Sequence, residues 1–261
     1  MSTSKVTRFD TGVELQPWPE IPEAACVAGK PVQHGHLYFA DDAYGLKIGV
    51  WHCTPFTSQE KPHGSTEYCI VMEGSASVIG SDGVEHRAGP GEAIFMPKGS
   101  LKTWKQTEDC RKFFFIFEDP SGSETDDPAK LQSRVFEAHG PNGKLDAAPI
   151  EDTSFLESAV PTHHNHTYHA DPSGQLTSGV WDTTAMTTKS GPFPRHELMS
   201  ILEGSVTIHE EGVGDHVFNA GDTFLVEKGA MISWQNDTYV RKNYVIFEPD
   251  EAMARVADAA E

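Results

Sequence analysis

Short apolar runs broken by Gly, Pro and Asp-Gly corners recur along almost the whole chain, which is the signature of closely spaced β-strands. Ser81-Asp82-Gly83 reads as a hairpin turn. Gly89-Pro90-Gly91 turns into an apolar strand at Glu92–Met96, and Pro97-Lys98-Gly99 turns out of it. Lys112 to Phe117 is a strongly apolar strand. Helical periodicity is scarce. Asp127-Pro128 opens one short candidate helix that Gly140 closes, and the Ala-rich C-terminus reads as a second. Many short strands with Gly/Pro corners predict an all-β sandwich or barrel.

The same pattern occurs twice. An offset of 130 residues takes Glu67 to Glu197 and aligns the halves without a gap. Gly49-Val50-Trp51 then meets Gly179-Val180-Trp181, and Glu73-Gly74-Ser75 meets Glu203-Gly204-Ser205. Lys98-Gly99 meets Lys228-Gly229, Trp104 meets Trp234, and Arg111-Lys112 meets Arg241-Lys242. Upstream, His34, His36 and Tyr38 meet His164, His166 and Tyr168. Chance does not supply so many matches in one register, so the chain is a duplicated unit. The expected layout is an N-terminal arm at 1–33 lying across a barrel, a first barrel at 34–118, a linker with a short helix at 119–163, a second barrel at 164–248, and a C-terminal helix at 249–261.

Charge narrows the partners. The 261 residues carry 20 Lys and Arg against 39 Asp and Glu, a net charge of −19. That disfavours nucleic acid and anionic membranes, which need a positive face. No apolar run approaches the ~20 residues of a membrane helix. MSTSKVTRFDTGVELQPWPE contains no apolar signal core, so a cytoplasmic location is expected. Cys26, Cys53, Cys69 and Cys110 form no CxxC pair and read as reduced, mostly buried thiols.

In each unit the spacing resembles the cupin superfamily of small jelly-roll barrels. Glu67 followed by Gly74 resembles its first motif, and Gly91 with Pro97-Lys98-Gly99 its second. Glu197 with Gly204, and Gly221 with Gly229, repeat them. The resemblance covers about 34–118 and 164–248, and implies two tandem jelly-roll barrels with few short helices. GVWHCTP and GPGEAIFMPKGS look most like the bicupin branch near (S)-ureidoglycine aminohydrolase and the ethanolamine-utilisation cupins. A cupin presents a set of metal ligands. Here those positions fall on Lys61, His63, Glu67 and Lys102 in the first unit, and on Gly191, Phe193, Glu197 and Ile232 in the second. Ureidoglycine aminohydrolase-like proteins use Glu, His, His and Gln there, of which this chain keeps the central His.

Two ammonium groups at ligand positions repel a divalent ion. Three readings stay open for the first barrel. Glu67 and Lys102 form an internal salt bridge; or Lys61 and Lys102 hold a small anionic molecule while His63 and Glu67 act as general acid and base; or His63 and Glu67 belong to a residual site for Mn, Fe, Zn or Ni. No tightly bound cofactor is the favoured expectation. If Glu67 and Lys102 point inward, strand alternation brings Cys69, Val71 and Trp104 with them, so Cys69 and Trp104 join the candidate ligand-binding residues. The second barrel, without ligands beyond Glu197, is expected to be closed and structural, with Glu197 paired to Arg195. Alternation also puts both His and the Tyr of each His-x-His-x-Tyr string on one strand face, and their presence in both units favours a structural role. The expected function is binding, and conceivably transforming, a small polar or anionic metabolite in the first barrel. The alternatives are a metal-dependent bicupin enzyme and a non-catalytic sensing module. A monomer and a homodimer both fit.

Overall fold

The computed structural model describes residues 3–122, 124–125, 127 and 131–250. The described residues are almost entirely strand, and helix is confined to two 3-10 turns at Glu23–Ala25 and Pro141–Gly143. The chain divides into two compact units, each a pair of antiparallel sheets that close on one core.

The first unit comprises Asp10–Phe136 with Asp171–Gly174. Its larger sheet orders the strands Arg134–Val135, Ala93–Met96, Thr66–Glu73, Cys110–Phe117, Leu46–Cys53, Gln33–Asp41 and Gln16–Pro17. The facing sheet runs Glu85–Ala88, Ala76–Gly80, Leu101–Gln106, Phe56–Ser58 and Cys26–Gly29, with Lys61–Pro62 beside Leu101–Gln106. Side chains alternate across each strand, so Trp51, Cys53, Cys69, Val71, Ile94, Met96, Trp104 and Phe114 converge on one buried core. The second unit comprises the N-terminal stretch ending at Phe9, Glu137–Ala170 and Gln175–Pro249. Its central strands repeat the order of the first, shifted by the repeat offset, with Val6–Arg8 at the edge where the first unit has Arg134–Val135, and Met199, Ile201, Phe224, Val226 and Trp234 take the matching core places.

Two expectations about connections change. The N-terminal segment is not an arm across one barrel: Val6–Arg8 is an edge strand of the second unit, paired with Thr223–Val226, while Gln16–Pro17 and Cys26–Gly29 are edge strands of the first. Edge pairing satisfies backbone groups that a loose arm would leave to water. The short helix expected at 127–140 does not form from residue 131 onward. Arg134–Val135 instead pairs with Ala93–Met96, which sets Phe136 against Tyr68 and Phe95 with centroids 5.5 and 6.0 Å away. Burial of that ring outweighs a local preference for helix. Residues 128–130 and the expected C-terminal helix lie outside the described residues.

In both repeats the strand with the histidine string bulges at its Tyr, Tyr38 in the first and Tyr168 in the second. Each Tyr hydroxyl clamps one backbone residue, Tyr38 holding Asp10 and Tyr168 holding Glu137. His36 and His166 pack edge-on against these rings. Gly35, on the first of these strands, lies under Trp18, and a Cβ there would sit 2.3 Å from the indole. Gly35→Ala is expected to lift Trp18 out of the first barrel at a cost of about 1–3 kcal/mol. The check is a red shift in tryptophan emission together with a lower urea midpoint.

Candidate functional site

Four side chains recur at matching places in the two cores. In the first unit they are Glu67, Lys112, Trp51 and Trp104. Lys112 lies opposite Val71 and Trp51, whereas Glu67 lies opposite Ile116. The lysine stem therefore runs along the barrel interior, and Lys112 Nζ reaches Glu67 Oε1 at 2.5 Å. The ammonium also stands over Trp104 at 4.4 Å and Trp51 at 4.9 Å. Two aromatic faces replace part of the hydration the cation gives up on burial. In the second unit Lys242 Nζ donates to Glu197 Oε1 at 2.7 Å and stands 4.9 Å from both Trp181 and Trp234.

Glu67 therefore pairs with Lys112 and not with Lys102 as the sequence suggested. Burial would raise the Glu67 carboxyl, but Lys112 and then His63 outweigh it and hold it well below the usual carboxylate range. Burial likewise opposes the Lys112 charge, and Glu67 helps to hold it above the ordinary lysine value. Glu67 is thus a permanent counter-ion and a poor carrier of protons at neutral pH.

Around this pair sit the other candidates. His63 Nε2 is 3.3 Å from Glu67 Oε2 but lacks the alignment of a hydrogen bond, and the atom is sealed from solvent. Burial lowers the imidazole's proton affinity, Lys102 and Lys112 lower it further, and Glu67 opposes them, so it is neutral at pH 7. Lys102 is 8% exposed. Its ammonium lies 5.8 Å over Trp104 and, among the described residues, donates no hydrogen bond to a carboxylate. Burial, partly offset by Glu67 and reinforced by Lys112, brings Lys102 down from 10.5 to about 8.

Lys61 does not line the interior. It stands opposite Lys102 on the edge of the sheet and is exposed, because a two-residue edge strand leaves its long side chain free to reach water. Cys69 is fully buried among Trp104, Phe114 and Val71, and its thiol is pushed up to about 12, mainly by burial. It packs the core as a neutral thiol. Cys26, Cys53 and Cys110 are also unpaired thiols, and the last two are buried.

The cupin resemblance implies a divalent metal, and the residues present do not fit one. Of the four positions in the first barrel only His63 and Glu67 offer lone pairs, and Glu67 already accepts from an ammonium at 2.5 Å. Lys102 adds a second cation beside them. Gly191, Phe193 and Ile232 supply no donor in the second barrel, and Glu197 accepts from Lys242 and from Arg195 Nε at 2.7 and 3.0 Å. Among the described residues no three His, Cys, Asp or Glu side chains converge on one point. In both barrels a lysine ammonium occupies the interior beside the buried carboxylate.

The second barrel is not closed, contrary to the sequence reading. A cavity of about 660 Å³ opens within it. Its apolar wall includes Ile150, Phe155, Met186, Phe193 and Ile232, and Glu197, Arg195, Lys242 and His163 give it a polar side. One residue pair differs on the wall of this space. Trp18 N donates to Gln33 O, and at the matching place Ala148 N donates to His163 O. In the first barrel the Trp18 ring leans into the core against Phe114, 5.9 Å between centroids. In the second, Ala148 lines open space. Burial and Arg195 push Lys242 below its ordinary value in spite of the Glu197 bond, the opposite of the Lys112 shift. The second unit has Met199 and Val240 where Cys69 and Cys110 face Lys112, and a guanidinium that shares Glu197.

Sequence reasoning missed Lys112 and Lys242. The signal was present: a lysine repeated in both units, in phase with the inward face of the most apolar strand.

A family model described as an EutQ-like cupin domain matches the sequence twice, at residues 43–114 and 170–244. A search of curated proteins gives no significant match. Among solved structures the chain is similar to a protein of unknown function of the DUF861 family from Pseudomonas syringae pv. tomato. The TM-score is 0.75 at 22% identity, covering 92% of this chain and 98% of that one. It is also similar to the protein Ylba from E. coli, with a TM-score of 0.51 at 10% identity and 84% of each chain covered. At these identities the likeness concerns the fold. No described helix is long and apolar enough to cross a membrane.

Proposed function

The chain belongs to the EutQ-like cupin family, and from that premise we propose that it is a bicupin that binds small organic anions in its barrels without a tightly held divalent metal. The observation that carries this reading is the buried charge balance. In each barrel one interior carboxylate is matched by one caged ammonium, and a further cation stands beside the pair. That cation is Lys102 in the first barrel and Arg195 in the second. An excess positive charge in a low-dielectric interior is costly, as the lowered proton affinities of Lys102 and Lys242 record. A bound carboxylate or phosphate relieves it. In the first barrel Lys102 holds the anion, with Lys112 and the Trp104 face behind it, and His63 offers a neutral imidazole for a further hydrogen bond.

The test is titration calorimetry with small carboxylates and inorganic phosphate between pH 7 and 9.5. An anion favours protonated Lys102, so binding takes up a proton once the pH exceeds the free value of about 8. Affinity should fall with rising pH above that point. Lys102→Met should lower first-barrel affinity by about tenfold or more and remove the pH dependence. Affinity that is flat across this range, or unchanged in Lys102→Met, would exclude the first-barrel site.

Should the bound anion also be transformed, His63 is the group placed to move a proton, since its Nε2 is buried and lacks an aligned partner. His63→Ala would then abolish turnover with folding intact, whereas Glu67, held ionised, acts on electrostatics alone.

A further inference from the structure

We infer that the second barrel binds a compact apolar monocarboxylate, aliphatic or aromatic, whose carboxylate meets Arg195 and whose body fills the space that Ala148 leaves open. This rests on the reading that the extra interior cation marks an anion site, and it adds the chemical class of the ligand.

Size, wall chemistry and charge each point the same way. The cavity of about 660 Å³ is of the volume that holds a small organic molecule. Its wall is mostly hydrocarbon and indole, from Ile150, Phe155, Met186, Phe193, Trp181 and Trp234. A sugar or a polyanion would leave its polar groups unpaired against such a surface. Three of these places are apolar only in this barrel. Gly191, Phe193 and Ile232 stand where the first barrel has Lys61, His63 and Lys102. The duplicated unit has therefore traded polar groups for apolar volume on one side.

The charged groups that remain are buried Glu197, shared by Lys242 and Arg195, and the exposed Glu248 carboxylate, 3.9 Å from Arg195. Arg195 uses its Nε on Glu197 Oε2 at 3.0 Å. Its Nη1 is 3.9 Å from the exposed Glu248 carboxylate, beyond a normal hydrogen bond. The outer edge of the guanidinium is thus available for a two-point contact with a carboxylate. Lys242 cannot serve, since its ammonium is committed to Glu197 and enclosed by two indoles. One guanidinium edge accepts one carboxylate. His163 lines the cavity with its ring edge-on to Trp181 at 4.9 Å.

Trp18 in the first barrel shows what narrows such a space. It occupies the place of Ala148, held by the equivalent backbone hydrogen bond, but lies over Gly35, where the second barrel has Asn165; each Ala148→Trp variant below therefore also carries Asn165→Gly, which copies an arrangement the chain already tolerates once.

The experiment measures binding of phenylacetate and hexanoate, with phenylacetamide and hexanol as uncharged counterparts and acetate as the anion without a body. Wild type, Ala148→Trp, Arg195→Met and Lys102→Met are compared by calorimetry. Phenylacetate or hexanoate should bind wild type, and lose about tenfold or more in affinity in Ala148→Trp and in Arg195→Met. The uncharged counterparts should bind about tenfold more weakly than the acids. Ala148→Leu, which fills less of the space, serves if the Trp variant fails to fold. The inference is overturned if the acids bind no better than their uncharged counterparts, if filling the cavity leaves affinity unchanged, or if wild type binds neither acid. Binding of acetate or phosphate lost in Lys102→Met, with no phenylacetate or hexanoate site, would overturn this inference and leave the first-barrel reading standing. Failure of every anion would remove both.

Discussion

Replacing Lys112 by methionine is expected to destabilise the protein by about 3–5 kcal/mol, because Glu67 keeps its charge inside the barrel and loses the ammonium that neutralises it. Glu67 is 8% exposed and cannot turn to water without breaking the sheet. The remaining neighbours do not substitute. His63 is neutral, and Lys102 donates no hydrogen bond to that carboxylate. Two comparisons isolate the cause. Lys112→Met combined with Glu67→Leu should recover most of the loss, since an apolar pair of similar volume has no charge left to strand. Lys242→Met should cost less than Lys112→Met, because Glu197 retains Arg195 at 3.0 Å. Urea unfolding followed by tryptophan fluorescence gives all three numbers. A Lys112→Met protein within about 1 kcal/mol of wild type would show that the caged pair is not the electrostatic centre of the barrel.

Lys102→Met should move stability the other way. The folded-state value of about 8 against the ordinary 10.5 records how much the native barrel disfavours this charge. At about 1.4 kcal/mol per tenfold change in proton affinity, the variant should be about 3 kcal/mol more stable at pH 7. The direction with pH follows from proton counts. Between about 8 and 10.5 the unfolded chain binds a proton at Lys102 that the folded chain does not. Wild-type stability at this site therefore rises with pH across that window. The advantage of the methionine variant is full below about 8 and shrinks toward 10.5. A variant that is stabilised and no longer binds anions would place Lys102 among residues kept for function at a cost in stability. A destabilised Lys102→Met would mean that the ammonium has a structural partner, and that would remove the basis of the first-barrel site.

Glu67 contributes with the opposite sense. Its carboxyl is held far below 4.5 in the fold, so the stability it adds is complete above that ordinary value and is lost as pH falls below it. Acid unfolding of wild type should accordingly be steeper than that of Glu67→Gln.

The amino-acid sequence alone determined the duplication, the all-β class and the inward face of the main strands. These depend on residue spacing, and a period of two with Gly/Pro corners is local information. Glu67, Cys69 and Val71 share one face for that reason, as do Lys102 and Trp104. The partner of Glu67 was not local. Which cation reaches it depends on pairing Thr66–Glu73 with Cys110–Phe117, and on a stagger along the barrel that only a long lysine stem can span. Lys102 lay nearer to the family's motif, but tertiary geometry gave the carboxylate to Lys112. The open second barrel was decided the same way. The room beside the second core depends on Ala148 standing where the first barrel has Trp18, edge-segment residues before the aligned repeats, whose side chains acquire a role only when those segments fold over the cores. Pattern fixes the face a side chain takes; packing among distant strands fixes what it meets there, and here that meeting sets the charge and the space on which binding depends.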